Sequence, residues 1–454
     1  MPPASLTEAG VKRWLNSVAR SISSASGQKP KRAWNADFAN VILPDEDVRC
    51  KPDIILINNL IESPSWKMVK AVVEVTSRSR IHSEMKKTIN NKTYLIFSAQ
   101  HTCRFVPFLA ICKGSIRFIV TDRDGQAVTN IEYLQKGPYH ALNFIRIIVA
   151  LMFASEEVIG FDPTVSLRHN GSIRTIAAGD KVYAVKSTVH AVRGVIGRST
   201  RVWSAYCEES NKVVVIKDGW VHQARAMIEE EHLMKVQEIR GVPKLVWGGT
   251  VKIHDPADPL HRAYVDDDTA WIRHDFSDDR VSRVHRRLVL YPVGEKLSSF
   301  TSLGELIAAL RDIVIGMFPF YEFNVMLILC TTIAHKACCG RGVLHRDISF
   351  NNILLVHYDN DPPDKARQGM LIDFDYAATT VQKARIEHRT VKFPSASICT
   401  VADITFQGTP PFMAIALLLN GASETDHYAK YDLESIMYVL FYCATMLKGL
   451  NDCW

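Results

Sequence analysis

Short apolar runs separated by polar turns dominate the first third of the chain, and one helical pattern follows them. A stretch with apolar residues at helical spacing predicts an α-helix at residues 140–153. Continuous or alternating apolar residues predict four β-strands, at residues 53–57, 69–75, 105–111 and 115–121. This mixture predicts a smaller α/β domain over residues 36–165.

Polar segments flank this domain on both sides. The serine- and lysine-rich residues 1–35 are expected to form a mobile amino terminus, with a short helix at residues 11–22. A polar break near residues 168–171 precedes a second set of predicted elements. The strongly charged residues 255–287 are expected to form a solvated insertion between strands.

The second set of elements divides into two regions, residues 175–290 and 291–454. Apolar runs predict strands at residues 213–216, 353–356 and 370–372, and a helix is predicted to begin near Tyr431. These elements add an α+β pattern to the α/β domain before them.

One long apolar stretch, residues 313–334, contains a single charged residue, Glu322. Its length allows a membrane span, but a buried helix of a globular domain has the same composition. A third interpretation is that part of it is an unspliced intron.

Composition favours a modular globular protein over a disordered or secreted one. The chain has 454 residues, of which 47% are hydrophobic and 22% charged, with a formal net charge of +6. Its ten cysteines lack paired spacing, and the charged residues Glu8, Lys12 and Arg13 stand where a signal peptide has its apolar core. We expect an intracellular protein, cytoplasmic or nuclear, with no membrane or nucleic-acid partner.

Residues 345–352 read His-Arg-Asp-Ile-Ser-Phe-Asn-Asn and are followed by an apolar strand. Phosphoryl transfer needs a group that orients the acceptor hydroxyl and oxygen ligands for the metal on the phosphates. Asp347 fits the first role, as catalytic base or orienting group. Asn352, five residues later, and Asp373, at the end of the next strand, fit the metal-binding role.

The preceding region contains residues suited to holding a nucleotide. Lys217 ends an apolar strand and is predicted to bind phosphates, with Glu230 of the next helix as its carboxylate partner. The glycine-containing turn before that strand is degenerate, because only Gly197 is a clear phosphate-loop glycine. Val202 and Leu290 are predicted to contact the adenine, with a hinge at residues 291–294.

Together with further motifs, these residues resemble the fungal-type protein kinase domain family. The similarity spans roughly residues 45 to 450 and includes five short segments, at residues 104–106, 122–125, 160–164, 408–414 and 431–435. It implies a two-lobed protein-kinase-like α+β fold, ATP and Mg²⁺ as cofactors, and a serine/threonine hydroxyl of a protein substrate, or another unidentified hydroxyl, as acceptor. It also implies that Asp432 holds the backbone of the catalytic loop, and that Ser349 takes the place usually held by a lysine.

On this interpretation, residues 175–290 form the small lobe and residues 291–454 an incomplete large lobe. The chain departs from the wider kinase pattern at Asp375, which stands in place of a glycine. The large lobe is expected to be truncated at the carboxy terminus, which would leave Ile436, Val439, Leu440 and Cys443 partly exposed. Residues 317–333 and 391–407 are interpreted as unspliced introns, with family-specific loops as the alternative.

Two other functions remain open. A pseudokinase would keep the fold as a nucleotide-binding or protein-binding module without phosphate transfer. The first domain also has a pattern of Asp53, Glu74 and Thr76 that is similar to a metal-dependent nuclease core in which lysine occupies the place of Thr76. The second alternative is therefore a nuclease-like domain at residues 36–165 with a nucleic-acid function, although the absence of that lysine favours a degenerate nuclease-like fold without activity.

Overall fold

The computed structural model describes residues 6–44, 48–58, 65–78, 81, 83–113, 115–129, 137–258, 260, 263–273, 282–314, 338, 341–362, 365–379, 409–420 and 429–446. The chain forms two compact units. The first comprises Met1–Lys212, Ile216–Ala224 and Gly249–Arg287. The second comprises Val213–Val215, Arg225–Gly248 and Leu288–Trp454.

The first unit begins with a six-stranded sheet in the order β1-β2-β3-β4-β5-β6. Its strands are β1 Arg32–Asn35, β2 Ile54–Asn58, β3 Ala71–Thr76, β4 Val106–Cys112, β5 Ser115–Thr121 and β6 Gln126–Val128. Three helices accompany them, α1 Glu8–Ser26, α2 Ser83–Ala99 and α3 Pro138–Phe153. Strands β3 and β4 pair in parallel, so the chain between them has to cross over, and α2 lies in that connection.

Helix α1 includes the short helix predicted at residues 11–22 and corrects the expectation that the segment around it is mobile. The Thr7 hydroxyl accepts a hydrogen bond from the Gly10 amide at 3.2 Å, and Gly27 ends the helix in the left-handed region at φ 71°. Val11, Leu15 and Ala19 repeat every four residues and are buried in the core of the first sheet. Apolar side chains at helical spacing therefore outweigh the polar composition of this segment.

A seven-stranded sheet has the order β12-β15-β11-β10-β9-β8-β7. Its strands are β7 Val165–Leu167, β8 Ile173–Ala178, β9 Lys181–Ala191, β10 Arg201–Cys207, β11 Lys212–His222, β12 Lys244–Thr250 and β15 Arg283–Tyr291. A separate ribbon pairs β13 Lys252–His254 with β14 Tyr264–Asp266. The charged segment 255–287 thus includes strands, and several of its charged side chains are buried.

The second unit contains helices packed around two small sheets, β16-β18-β19 and β17-β20. Its elements are α4 Ile228–Val236, β16 Glu295–Lys296, α5 Leu303–Val314, β17 Val343–Leu344, β18 Ile353–Val356, β19 Gln368–Leu371, β20 Ala378–Thr379, α6 Ile415–Asn420 and α7 Ala429–Met446. At Gly369 a side chain would come within 2.1 Å of the Ala309 carbonyl oxygen, so only glycine allows β19 to pack this closely on α5.

Helix α7 packs more completely than the truncation hypothesis predicted. Ile436, Val439 and Cys443 are buried in the second core, and only Leu440 of the four named residues is exposed, at 38%. The prediction was therefore wrong for three of them, because α5 and the catalytic-loop region cover this face of α7.

Two sequence hypotheses fall outside the described residues. These are the intron interpretations of residues 317–333 and 391–407, and most of the apolar stretch 313–334. Within the described part of the chain, no helix combines the length and the hydropathy needed to cross a membrane.

Candidate active site

The predicted catalytic loop lies between β17 and β18 in the second unit, and helix α7 holds its backbone. The amides of His345 and Arg346 each donate to the Asp432 carboxylate at 3.0 Å. Arg346 has a φ of 69°, a left-handed conformation that is costly for a residue other than glycine. Asp432 thus stabilises a strained backbone, which confirms the backbone-holding role predicted for it.

The Asp347 carboxylate is oriented from two sides. The side-chain amide of Asn352 donates to the Asp347 carbonyl at 2.8 Å and to its Oδ2 at 3.2 Å. The Thr409 hydroxyl donates to Asp347 Oδ1 at 2.8 Å. The sequence placed Thr409 in a family motif but did not assign it this contact. Each carboxylate oxygen therefore has a donor that restricts its rotation.

His345 joins this loop to the strand that leads to Asp373. Its Nε2 lies 2.9 Å from the Ile372 carbonyl oxygen, and its Nδ1 lies 3.3 Å from the Asp347 amide. A carbonyl can only accept and an amide N–H can only donate, so the neutral tautomer with hydrogen on Nε2 satisfies both contacts. Burial also lowers the pKa of His345, which favours the neutral ring.

The two predicted metal ligands are brought close through the backbone. The Ile372 amide donates to the Asn352 carbonyl at 2.9 Å. Asp373 directly follows Ile372, so this hydrogen bond holds the backbone beside Asp373 close to Asn352. Asp373 has a φ of 67°, and Phe374 after it is fully buried against the His345 ring at 4.8 Å between centroids. Because the Asn352 amide nitrogen binds Asp347, its amide oxygen suits a hard cation, as does the Asp373 carboxylate. These residues fit Mg²⁺.

Ser349 and Asp375 lie beside this site and are both buried. The Ser349 carbonyl accepts from the Asn352 amide at 3.0 Å and closes a short 3-10 turn. The Asp375 carbonyl accepts from Arg225 at 2.6 Å. Ser349 therefore stabilises the turn that carries Asn352, and Arg225 anchors the backbone at Asp375 to the segment before α4.

The residues predicted to hold the nucleotide are divided between the units. Lys217 on β11, Val202 on β10 and Gly197 in the turn before β10 belong to the first unit. Glu230 on α4 and Leu290 on β15 belong to the second. Their assembly around one nucleotide stays a prediction.

Within each unit the local setting of these residues is clear. Glu230 is buried, and a side chain at Gly248 would come within 2.0 Å of its Oε1, so the strand backbone passes directly over this carboxylate. Along β11 buried and half-buried residues alternate, which puts Lys217 and the buried Asp218 on opposite faces. Leu290 lies in the second core.

Asp218 belongs to a buried charge network that the sequence did not predict. Arg287 contacts Asp162 at 2.8 Å and Asp218 at 2.6 Å, and His285 lies 3.2 Å from Asp218 and 3.0 Å from Asp267. Residues 255–287 supply three of these five residues, so the expectation that this segment is solvated is wrong for them.

This network is balanced in charge. Arg104 completes it by contacting Asp267 at 2.8 Å, which gives three carboxylates and three basic groups. Burial opposes a charge on His285, but its hydrogen bonds to Asp218 and Asp267 outweigh burial and raise the pKa of His285 to about 9. Ligand atoms of Asp162, Asp218 and His285 lie within 4.8 Å of one another, as in a metal site, but the Arg287 guanidinium already binds both aspartates.

A second, largely buried cluster corrects the expectation that no positive charge lies beside Asp53 and Glu74. Lys92 on α2 forms a close ion pair with Glu74, and its Nζ lies 3.6 Å from Asp53 Oδ1. Burial raises the pKa of Glu74 to about 7. The positive charge that seemed absent at Thr76 is therefore supplied by a helix that the sequence analysis missed. Because Lys92 is fully buried, the trio has the features of a structural ion cluster joining β3 to α2.

Comparison with known proteins gives one clear result. A family model described as fungal protein kinase matches residues 51–444, which include most of the first domain and the catalytic loop. No curated protein sequence matches the chain.

Proposed function

The chain belongs to the fungal protein kinase family, and on that premise we propose that it transfers the γ-phosphate of ATP to a serine or threonine hydroxyl of a protein substrate. The observation that carries this proposal is the orientation of Asp347. Its carboxylate is held by Asn352 and Thr409 in a loop whose backbone Asp432 fixes.

Each predicted residue has a role in this reaction. Asp347 orients the acceptor hydroxyl and receives its proton, while Asn352 and Asp373 hold Mg²⁺. Bound Mg²⁺ supplies charge neutralisation on the phosphates. Lys217 binds the phosphates from the small lobe, and Glu230 is its proposed partner.

The remaining residues shape the nucleotide and acceptor sites. Val202 and Leu290 are proposed to enclose the adenine with apolar surface, and Gly197 lets the backbone approach the phosphates. Ser349 has no cationic side chain, so it would not supply the positive charge that a lysine at this position gives to the transferred phosphate.

The test is γ-phosphate transfer from radiolabelled ATP to a mixture of protein acceptors. Asp347→Ala is expected to lower transfer at least about 100-fold, the usual contribution of a positioned proton acceptor. The affinity for ATP should stay within about twofold, since this carboxylate faces the acceptor. The matched control is Glu238→Ala, which removes an exposed carboxylate of the same unit that pairs with the exposed Arg341 and should leave transfer unchanged.

The outcome also separates the kinase from the pseudokinase alternative. Wild-type protein that binds ATP with Mg²⁺ but transfers no phosphate would favour a nucleotide-binding module. Full activity in the Asp347→Ala variant would exclude the role proposed for Asp347.

A further inference from the structure

The glycine turn, defined as residues 192–200 between β9 and β10, is bonded to the first domain. The Arg123 guanidinium donates to the Gly194 carbonyl at 2.9 Å, and the Gly197 amide donates to the Arg123 carbonyl at 2.9 Å. Arg123 thus binds the turn through both its side chain and its main chain, on either side of the turn's apex.

Apolar packing supports the same attachment. The Val195 side chain is half-buried and packs on the core of the six-stranded sheet, whereas Ile196 beside it is 54% exposed. Val195 occupies a place in the turn where, on the resemblance to kinases, a glycine is usual. A valine at this position has a structural reason, because its side chain packs the turn against the core of the six-stranded sheet.

A second arginine fixes the end of the turn. Arg201, the first residue of β10, donates to the Phe97 carbonyl of α2 at 3.2 Å and also to the Val192 carbonyl. The Phe97 ring lies 3.4 Å from the Arg123 guanidinium carbon. Phe97 therefore contacts both arginines and joins them to α2.

These two arginines are unusual in how their charge is compensated. Arg123 and Arg201 are only 1% and 2% exposed, and the hydrogen bonds of both guanidinium groups within the described residues go to main-chain carbonyls and not to carboxylates. Their partners are carbonyl oxygens. Burial lowers the pKa of Arg123 to about 9 and that of Arg201 to about 10. The positive charge of Arg201 lowers the pKa of Arg123 further, whereas the negative charge of Asp218 opposes the shift at Arg201. Burying cations in this way costs stability, so an apolar contact would serve better if packing were the only need.

We propose that Arg123 is a positioning residue of the nucleotide site. It holds the glycine turn in its nucleotide-binding conformation, so the first domain contributes to ATP binding by the small lobe. This inference rests on the proposed function, since the turn matters for ATP only if the site binds ATP. Gly197 has a φ of 112°, and the hydrogen bond from its amide to the Arg123 carbonyl helps to maintain this conformation.

The test uses the full chain and two variants, Arg123→Met and Arg32→Met. Arg32 is the control, because it is also 1% exposed and donates to the Leu151 and Ala154 carbonyls away from the turn; unlike Arg123, it also pairs with Glu156 at 3.2 Å. Both variants should melt at lower temperature. Only Arg123→Met should raise the KM for ATP, by about tenfold as expected for one lost buried hydrogen bond, with kcat changed less than threefold.

Amide hydrogen exchange without nucleotide tests the attachment independently of activity. Residues 192–200 should exchange faster in Arg123→Met than in Arg32→Met. If Arg123→Met does not fold, Val195→Ala should change exchange and KM in the same direction by a smaller factor.

The possible failures are distinguishable. Unchanged exchange in the turn, or faster exchange with an unchanged KM or Kd for ATP, would overturn the positioning role. A wild-type chain that neither binds ATP nor transfers phosphate would instead refute the proposed function, while the exchange result would still report on the attachment.

Discussion

The orientation of the Asp347 carboxylate is set by two neighbouring hydrogen-bond donors. Asn352 binds one carboxylate oxygen and Thr409 the other, and each donor comes from a different part of the chain. A carboxylate held in this way presents a defined lone pair to an acceptor hydroxyl, which reduces the entropy lost on reaching the reactive geometry.

Replacing Thr409 by valine should lower kcat by about tenfold, because one of the two hydrogen bonds that orient Asp347 is lost. The KM for ATP should change little, since the hydroxyl contacts Asp347 alone among its described partners. Steady-state kinetics at saturating acceptor measure both constants. Thr409→Ser keeps the hydroxyl and should retain most of the activity; equal losses in the serine and valine variants would contradict this role.

Among the elements, α2 shows where prediction from the pattern of apolar residues fails. The four strands predicted in the first domain lie within two residues of β2 to β5, and β5 and β18 have the predicted bounds, because their apolar runs end at polar turns. Helix α2 was missed, since its sequence is polar and contains two adjacent asparagines, and its buried residues include Lys92 and Thr93. A buried lysine cannot be recognised without the carboxylates that surround it.

The same limit applies to the candidate site. The catalytic loop and Asp373 follow from spacing along one segment, but the bonds from Thr409 and Asp432 join residues about sixty and ninety positions apart. The charge network was missed for the same reason. A run of charged residues normally indicates solvent, and only the fold shows that Asp218 and Arg287 neutralise each other.

At the scale of the element, the Lys92–Glu74 pair should stabilise the packing of α2 on β3 only while both partners are present. Lys92→Met should lower the free energy of unfolding by roughly 3 kcal/mol, because it leaves Glu74 buried without its cation. The double variant Lys92→Met/Glu74→Gln should recover at least half of that loss. Urea unfolding measures both, and a double variant less stable than Lys92→Met alone would contradict the pairing.

For the whole molecule, the charge network predicts how stability depends on pH. The pKa of His285 is raised to about 9 from an ordinary value of 6.5, so the folded chain binds the proton more tightly than the unfolded chain. This contribution is fully present below pH 6.5 and is lost as pH rises through 9. It should be on the order of 3 kcal/mol.

Urea unfolding at pH 6.5 and pH 9.5 tests this expectation, with the wild-type chain losing stability at the higher value. A His285→Gln variant should be less stable at pH 6.5 but should lose less on going to high pH. A pH dependence that is identical in both proteins would show that another group is responsible.

Helix α1 also has a practical consequence for preparing fragments of this protein. The family match begins at residue 51, so a fragment cut there would lack α1 and β1. Residues 32–35 pair with residues 55–58, and removing them would turn β2, whose residues 54–57 are buried, into an open sheet edge. Open apolar edges promote intermolecular strand pairing. Recombinant fragments of the first domain should therefore begin before Thr7, whose hydroxyl caps α1.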